Sequence, residues 1–247
     1  MDSLQKILLG FEIHSSEIIR EEFEKGISPN QDYNGKPLIY SLINMYYRSH
    51  KFSECMKVFK EFGWKEEDEI LFIILLNDPK KLNLLVSQNP SLLNKTYDLD
   101  CTFTPLYKAS LLHICAEYNM VEAAKILIKH GADVNVRAGI DENGFGGHSP
   151  IFHTVNQHNN HGIEMLNLLL QHNVDLDVKV KGMIWGKGYP WETYIPEVSP
   201  ISYAMMGLLR QFQRTEKDIY EVVNILMKVK YDINYKHDNL PNKYLIS

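Results

Sequence analysis

Histidine and carboxylate side chains are the groups in this 247-residue chain that could do chemistry. His148, His153, His158, His161 and His172 crowd into one short stretch. A metal site needs such side chains to converge, each held by further partners. The spacing argues against convergence, because His153 and His158, five apart, do not share a helical face. His158-Asn159-Asn160-His161 reads as a turn between two helices. His172, like His130, precedes a turn, where an imidazole can bond the last helical carbonyls. No H-E-x-x-H and no C-x-x-C occurs. Asp98/Asp100 and Asp175/Asp177 are close carboxylate pairs, but acid–base work requires an enclosing cleft and Asp175 and Asp177 sit in an open turn. With no G-x-S-x-G either, no catalytic residue, metal ligand or cofactor is assigned. An enzyme stays open only around Trp185, Trp191 and His148.

Two stretches between the periodic segments carry the most individual chemistry. Gly139-Ile140-Asp141-Glu142-Asn143-Gly144-Phe145-Gly146-Gly147-His148 holds four glycines, so its backbone can adopt several conformations closed to other residues. It reads either as an enlarged turn or as a loop cradling an anion ahead of a helix start at Ser149. The second stretch, Lys179 to Val198, alternates Val178 and Val180 with Lys179 and Lys181, the period of a strand. Gly186-Lys187-Gly188 can turn the chain, and Tyr189, Trp191, Tyr194 and Ile195 return on a second strand. A projecting β-hairpin is predicted, with Trp185 and Trp191 either exposed as interface anchors or packed down onto neighbouring elements.

The elements that must position these stretches are helix pairs. Ser110 to Asn135, SLLHICAEYNMVEAAKILIKHGADVN, reads as helix–turn–helix followed by a turn. Ser110 can accept an orphan N–H at the helix start, Gly131 can end the second helix in the left-handed region, and Asp133 and Asn135 are turn formers. The register recurs from Ser149-Pro150-Ile151-Phe152 to Asp177 and from Ser199-Pro200-Ile201-Ser202 to Asn234. Proline suits a first helical turn, where its missing N–H has no partner to lose. Weaker copies lie upstream. One is a helix from about Ser15 to Lys25 before a turn at Gly26 to Asn30. A second is a pair opening at Lys36-Pro37-Leu38-Ile39 and ending near Gly63. A third runs Glu69 to Leu76 and Pro79 to Gln88, closed by a turn at Asn89 to Asn94. Residues 95–109 read as a long connection. Tyr40, Tyr46, Tyr47, Phe52, Phe59 and Phe62 form a helical stripe expected in the core. The last unit carries extra residues near 208–217, with Arg210 and Arg214 one helical turn apart.

Ser110-Leu111-Leu112-His113, the small Ala116, Ile126-Leu127 and His130 to Asn135 together resemble the ankyrin repeat, whose first helix opens on T-P-L-H. The intervals from Asp133 to Asp175 and from Asp175 to Asp232 both exceed the about 33 residues of such a unit, and the excess falls in the two individual stretches. The resemblance implies an all-α ankyrin solenoid of about five helix-pair units with an N-terminal capping helix, β-turn fingers and one inserted β-hairpin. The implied division is a cap at 1–33, units at 34–65, 66–94, 95–138, 139–178 and 179–237, and a tail at 238–247. Three strings, at Phe145 to Thr154, Trp185 to Thr193 and Pro200 to Leu208, further resemble a branch of bacterial ankyrin-repeat proteins. That branch supplies a fold and no chemistry.

Composition bounds the partners. The formal net charge of −5 argues against a nucleic-acid backbone as partner. Cys55, Cys101 and Cys115 make no paired spacing, which points to a reducing, cytoplasmic setting without disulfides. The N-terminal MDSLQKILLGFEIHSSE does not read as a secretory leader, and the apolar run Ile70 to Leu76 is too short to cross a bilayer. The acidic run Glu66 to Glu69 suits a helix start. The function expected is protein binding by a monomer, through the concave face, the finger turns and the hairpin, at Phe145, His148, Trp185, Lys187, Tyr189, Trp191 and Glu192. The alternative is a small polar or anionic ligand, with or without catalysis, between loop 139–148 and hairpin 179–198.

Overall fold

The computed structural model describes residues 2–65, 68–100, 104–185, 190, 192–206 and 214–234. Several of its helices start at small polar residues. Asp2 caps α1 (Ser3–Glu12) in a reciprocal box with Gln5, and Ser15 caps α2 (Ser16–Glu24). Asp68 caps α5 (Glu69–Leu75), and Asp78, followed by Pro79 in the first turn, caps α6 (Pro79–Gln88). Each cap satisfies an N–H that the helix itself leaves unpaired. Between these pairs lie α3 (Ile39–Ile43) and α4 (Phe52–Glu61). Downstream are α7 (Leu111–Tyr118) and α8 (Val121–Lys129), joined through Asn119 in the left-handed region at φ 54. Then come α9 (Ile163–Leu170), α10 (Pro200–Met205) and α11 (Glu216–Tyr231).

Packing is between neighbours in chain order. First helices touch first helices: α1 meets α3 and α5 meets α7, and the 3-10 turn Pro150–His153 lies between α7 and α10. Second helices do the same, α2 on α4 and α8 between α6 and α9. One apolar core runs through the stack from Ile7 to Leu226. The helix α5 is buried from Ile70 through Leu75, so it is a central element with no solvent stripe.

Several expectations need correction. The chain is not purely helical beyond its one hairpin, because three two-stranded antiparallel sheets are present among the described residues. The first is a short ribbon of β1 (Asp32–Tyr33) and β2 (Lys36–Pro37). The second joins β3 (Thr96–Leu99) to β4 (Leu106–Ser110), and so replaces the long connection read at 95–109. Leu99, Leu106 and Ala109 turn inward there and anchor the hairpin on the core. The third, β5 (Val180–Trp185) with β6 (Thr193–Val198), is the expected inserted hairpin. The N-terminal stretch holds two helices, α1 and α2. Residues Pro90–Asn94 form a 3-10 helix rather than a turn. The helix expected at Ser149 is a 3-10 turn, Pro150–His153, in which the Thr154 hydroxyl bonds back to the Ile151 carbonyl. That bond takes a carbonyl a longer helix would use. The aromatic stripe divides: Phe52 and Phe59 are core, whereas Tyr46 is 42% exposed and, with Tyr47, lines a small cleft beside Arg48 and Gln157.

Candidate binding site

Against the expectation from spacing, His148 and His153 meet beside His113, and Arg48 and Glu117 organise the group. His113, on the first turn of α7, accepts from the Ser110 N–H at Nδ1 (3.2 Å) and donates from Nε2 to the His148 carbonyl (3.0 Å). Burial, then the neighbouring His153, lowers its pKa to about 3, so it stays neutral. His153 places Nδ1 2.7 Å from a Glu117 carboxylate oxygen. The other Glu117 oxygen accepts from Arg48 Nε at 2.8 Å. Arg48 also donates to the carbonyls of Met45 and Tyr47 and lies 4.4 Å from the centre of the Tyr118 ring. Both side chains of the ion pair are about 95% buried, with exposures of 4% and 5%. Gln157 closes the group by donating to the carbonyls of Glu117 and His153. A buried carboxylate is tolerable only with such partners.

His148 is where this network meets a cavity. Its Nε2 lies 3.1 Å from His153 Nε2. The residue is fully buried. Burial, then His153 and His113, holds its pKa well below the ordinary histidine value, and a hydrogen bond to the Pro105 backbone, whose carbonyl accepts, works the other way. Since Nε2 is turned to His153, Nδ1 is the nitrogen on the Pro105 side. Pro105 and His148 both line a cavity of about 730 Å³, within the usual range for small-molecule sites.

Three elements wall this cavity: the β3–β4 hairpin, loop 139–148 and the β5–β6 hairpin. The loop is stitched to both hairpins by backbone bonds. Gly139 N–H donates to the Tyr107 carbonyl (2.9 Å), and Gly146 N–H donates to the Gly182 carbonyl (3.1 Å). Gly146 has φ +109, and a Cβ there would fall 2.3 Å from the Gly139 carbonyl oxygen, so only glycine fits. Gly182 is required by a different contact: a Cβ there would lie 2.3 Å from the Tyr194 ring. That ring crosses the hairpin to stack on Phe145, centroids 4.7 Å apart. Asp141 accepts from the Asn143 and Phe145 N–H groups, which folds the loop tip.

The predicted contact residues therefore have different fates. Phe145 is half-buried and lines the cavity. His148 is buried and lines it from within, which removes it from any surface a protein partner could touch. Glu192 is exposed just before β6. Trp185 lies on β5 opposite Thr193. Lys187, Tyr189 and Trp191 lie outside the described residues, as do Gly186 and Gly188 of the predicted turn and Arg210. Arg214 is buried and donates to the Ala204 carbonyl.

Sequence reasoning missed Arg48 and Glu117. A charged residue at an otherwise core position of a helix, Glu117 amid LLHICAEY, was the available sign. It also missed the part played by Asp98 and Asp100 as cavity lining. Among the described residues no three histidine, cysteine or acidic side chains converge to hold a metal ion. Cys55 and Cys115 are buried free thiols, with burial pushing Cys55 up to about 12 and Cys115 higher still. Among the described residues no helix is long and apolar enough to cross a membrane.

No curated protein sequence matches the chain. The family model of the ankyrin repeat matches residues 103–138, the stretch that contains β4, α7 and α8. The helix pair on which the candidate site is built thus lies within the stretch that is similar to an ankyrin repeat.

Proposed function

We propose that the chain is a non-enzymatic protein-interaction module, a solenoid of about five helix-pair units that grips a partner with its concave face, finger turns and inserted hairpin. Ankyrin repeats are generally protein–protein interaction modules, and the match at 103–138 is the observation that carries this reading. It is supported by the backbone bond from Gly146 to Gly182, which joins loop and hairpin into one continuous surface edged by Phe145, Tyr194 and Glu192. Aromatic anchors on a rigid support are what interface hot spots consist of. Lys187, Tyr189 and Trp191 fall in sequence between its two strands. The partner is a protein rather than a nucleic acid, given the net charge of −5. The test is capture from a lysate of the native host by immobilised wild type beside Trp191→Ala. Loss of a captured band with an unchanged circular dichroism spectrum supports the reading. A collapsed spectrum makes Trp191 a core residue and removes it from the interface.

A second reading is favoured by one observation, the cavity of about 730 Å³ between loop 139–148 and the hairpin. In this reading a small polar ligand occupies it, and the walls give the ligand acidic, aromatic and backbone groups. No serine, threonine, cysteine or lysine is among the cavity's described lining residues.

A further inference from the structure

We propose, independently of both readings above, that segment 44–51 is an acid-released latch. His14 and His161 close on it around the Arg48–Glu117 pair, and their protonation frees it while the flanking helices stay folded.

Geometry is the first observation. The segment joins α3 to α4 and is itself without helix or strand. Its side chains are held from several directions. Ser49 Oγ lies 2.8 Å from Nδ1 of His14, in the link between α1 and α2. The His14 ring also packs on Tyr47 and Phe52, with centroids 5.1 and 5.4 Å away. Tyr47 meets the ring of His158, in the turn before α9, at 5.5 Å. Arg48 reaches Glu117 of α7, whose other oxygen faces His153. His161, just after the turn, feels His50, Arg48, Glu117 and His158. One carboxylate, Glu117, thus answers Arg48 in the midst of five histidines. Glu221 of α11 accepts from Asn160 in the same turn. Glu17, Lys51 and Glu54 are exposed nearby, but the charges acting on His14 are those of Arg48 and His161.

The second observation is that this group has no room for added protons. His14 is fully buried, and its Nε2 has no hydrogen-bond partner among the described residues. Protonation puts an N–H on both ring nitrogens, so a charged His14 would keep one N–H unpaired beside the Arg48 cation. Burial, then Arg48 and His161, accordingly lowers His14 to about 3. Burial, then His50 and Arg48, lowers His161 to about 4, although Glu117 pulls the other way. Once the segment is released, both rings meet water and titrate near about 6.5. The hold of the latch is therefore complete above about pH 6.5 and is lost as pH falls toward about 4. The flanking helices keep their places through the apolar core and the Tyr118 hydroxyl, which donates to the Ile43 carbonyl at 2.6 Å. Release uncovers Phe52 and Tyr118, buried rings 4.8 Å apart, beside the cleft that Tyr46 and Tyr47 line.

The experiment takes the full chain from about pH 7.5 to about pH 4 and follows amide resonances together with far-UV circular dichroism. The proposal expects the Tyr46, Tyr47 and Ser49 resonances to move to unstructured positions, with a midpoint between about pH 4 and 6 and an uptake of about two protons. Over the same range the α5 and α8 resonances and the ellipticity should hold. His14→Gln and His161→Gln should each cut the steepness to about one proton, whereas the exposed His172→Gln should leave it unchanged. Where His14→Gln does not fold at neutral pH, the steepness in His161→Gln decides. Ellipticity lost together with the segment overturns the latch in favour of general acid unfolding. Segment resonances that hold throughout overturn it as well, and a steepness unchanged in the variants overturns the roles of His14 and His161.

Discussion

Two acidic regions of this protein lie on opposite sides of His148 and are built in contrary ways. On one side Glu117 is buried, with one oxygen on Arg48 and the other on His153. Both oxygens of that carboxylate are engaged inside the fold. On the other side Asp98, Asp100 and Glu142 are exposed and Asp141 is half-buried, all on the wall of an open cavity. The difference teaches where function can reside. A carboxylate whose partners are all internal holds units together and offers nothing to a ligand. A carboxylate at a rim adds little to stability and keeps its charge available. The helix pair α7–α8 supplies the first kind, and the hairpins and loop set around it supply the second.

The sharpest way to break this contrast is Glu117→Gln. It strips the charge facing buried Arg48 and should cost about 3–5 kcal/mol, read as a lower urea midpoint at unchanged m. A loss below about 1 kcal/mol would mean that Arg48 and Glu117 behave as a surface pair and that the two regions do not differ. Gly146→Ala attacks the junction of the loop and the hairpin instead. With φ +109 and the Gly139 carbonyl oxygen in the way, it should cost about 1–3 kcal/mol. It should also disperse the Gly139 and Gly182 amide resonances before those of α7.

Acid should act on the buried side alone. His14 and His113 are lowered from 6.5 to about 3 and His161 to about 4, burial being the main cause in each. In the unfolded chain these groups take up protons that the folded state refuses. Their stability contribution is therefore complete above about pH 6.5 and is lost as pH falls toward 3. A Tm that falls between about pH 7 and pH 5, with a flatter slope in His161→Gln, is the expected result. A Tm that rises with acid would show the imidazoles to be charged in the fold. The smallest effect belongs to the rim: Glu142→Gln should change stability by no more than about 0.5 kcal/mol. A larger loss measured by calorimetry would place Glu142 with Glu117 and erase the comparison.

Legibility from sequence followed the range of the interactions involved. The pairs α5–α6 and α7–α8 were readable because their caps, Asp68, Asp78 and Ser110, lie beside the helices they start. The β5–β6 hairpin was readable because Val178 to Lys181 alternates within one strand period. The β3–β4 hairpin was not, because its register shifts between Tyr97 and Leu99 and breaks the alternation. Thr104-Pro105-Leu106 further imitates a helix opening. At the candidate site Phe145 was found from its glycine-rich surroundings. Arg48 was not, because nothing near it in the chain calls for a charge.

The amino-acid sequence by itself determined the succession of helix pairs, the opening of the repeat at Ser110 and the place of the inserted hairpin, all through contacts within a few residues. Only the tertiary structure decided that Arg48 meets Glu117 across 69 positions, that Glu117 meets His153 across 36, and that Asp98 and Asp141 face one cavity. The physical reason is packing of neighbouring units. Helix and turn formation depends on local dihedrals and caps, whereas a buried charge network and a ligand cavity exist only where separate units close on one another and exclude water.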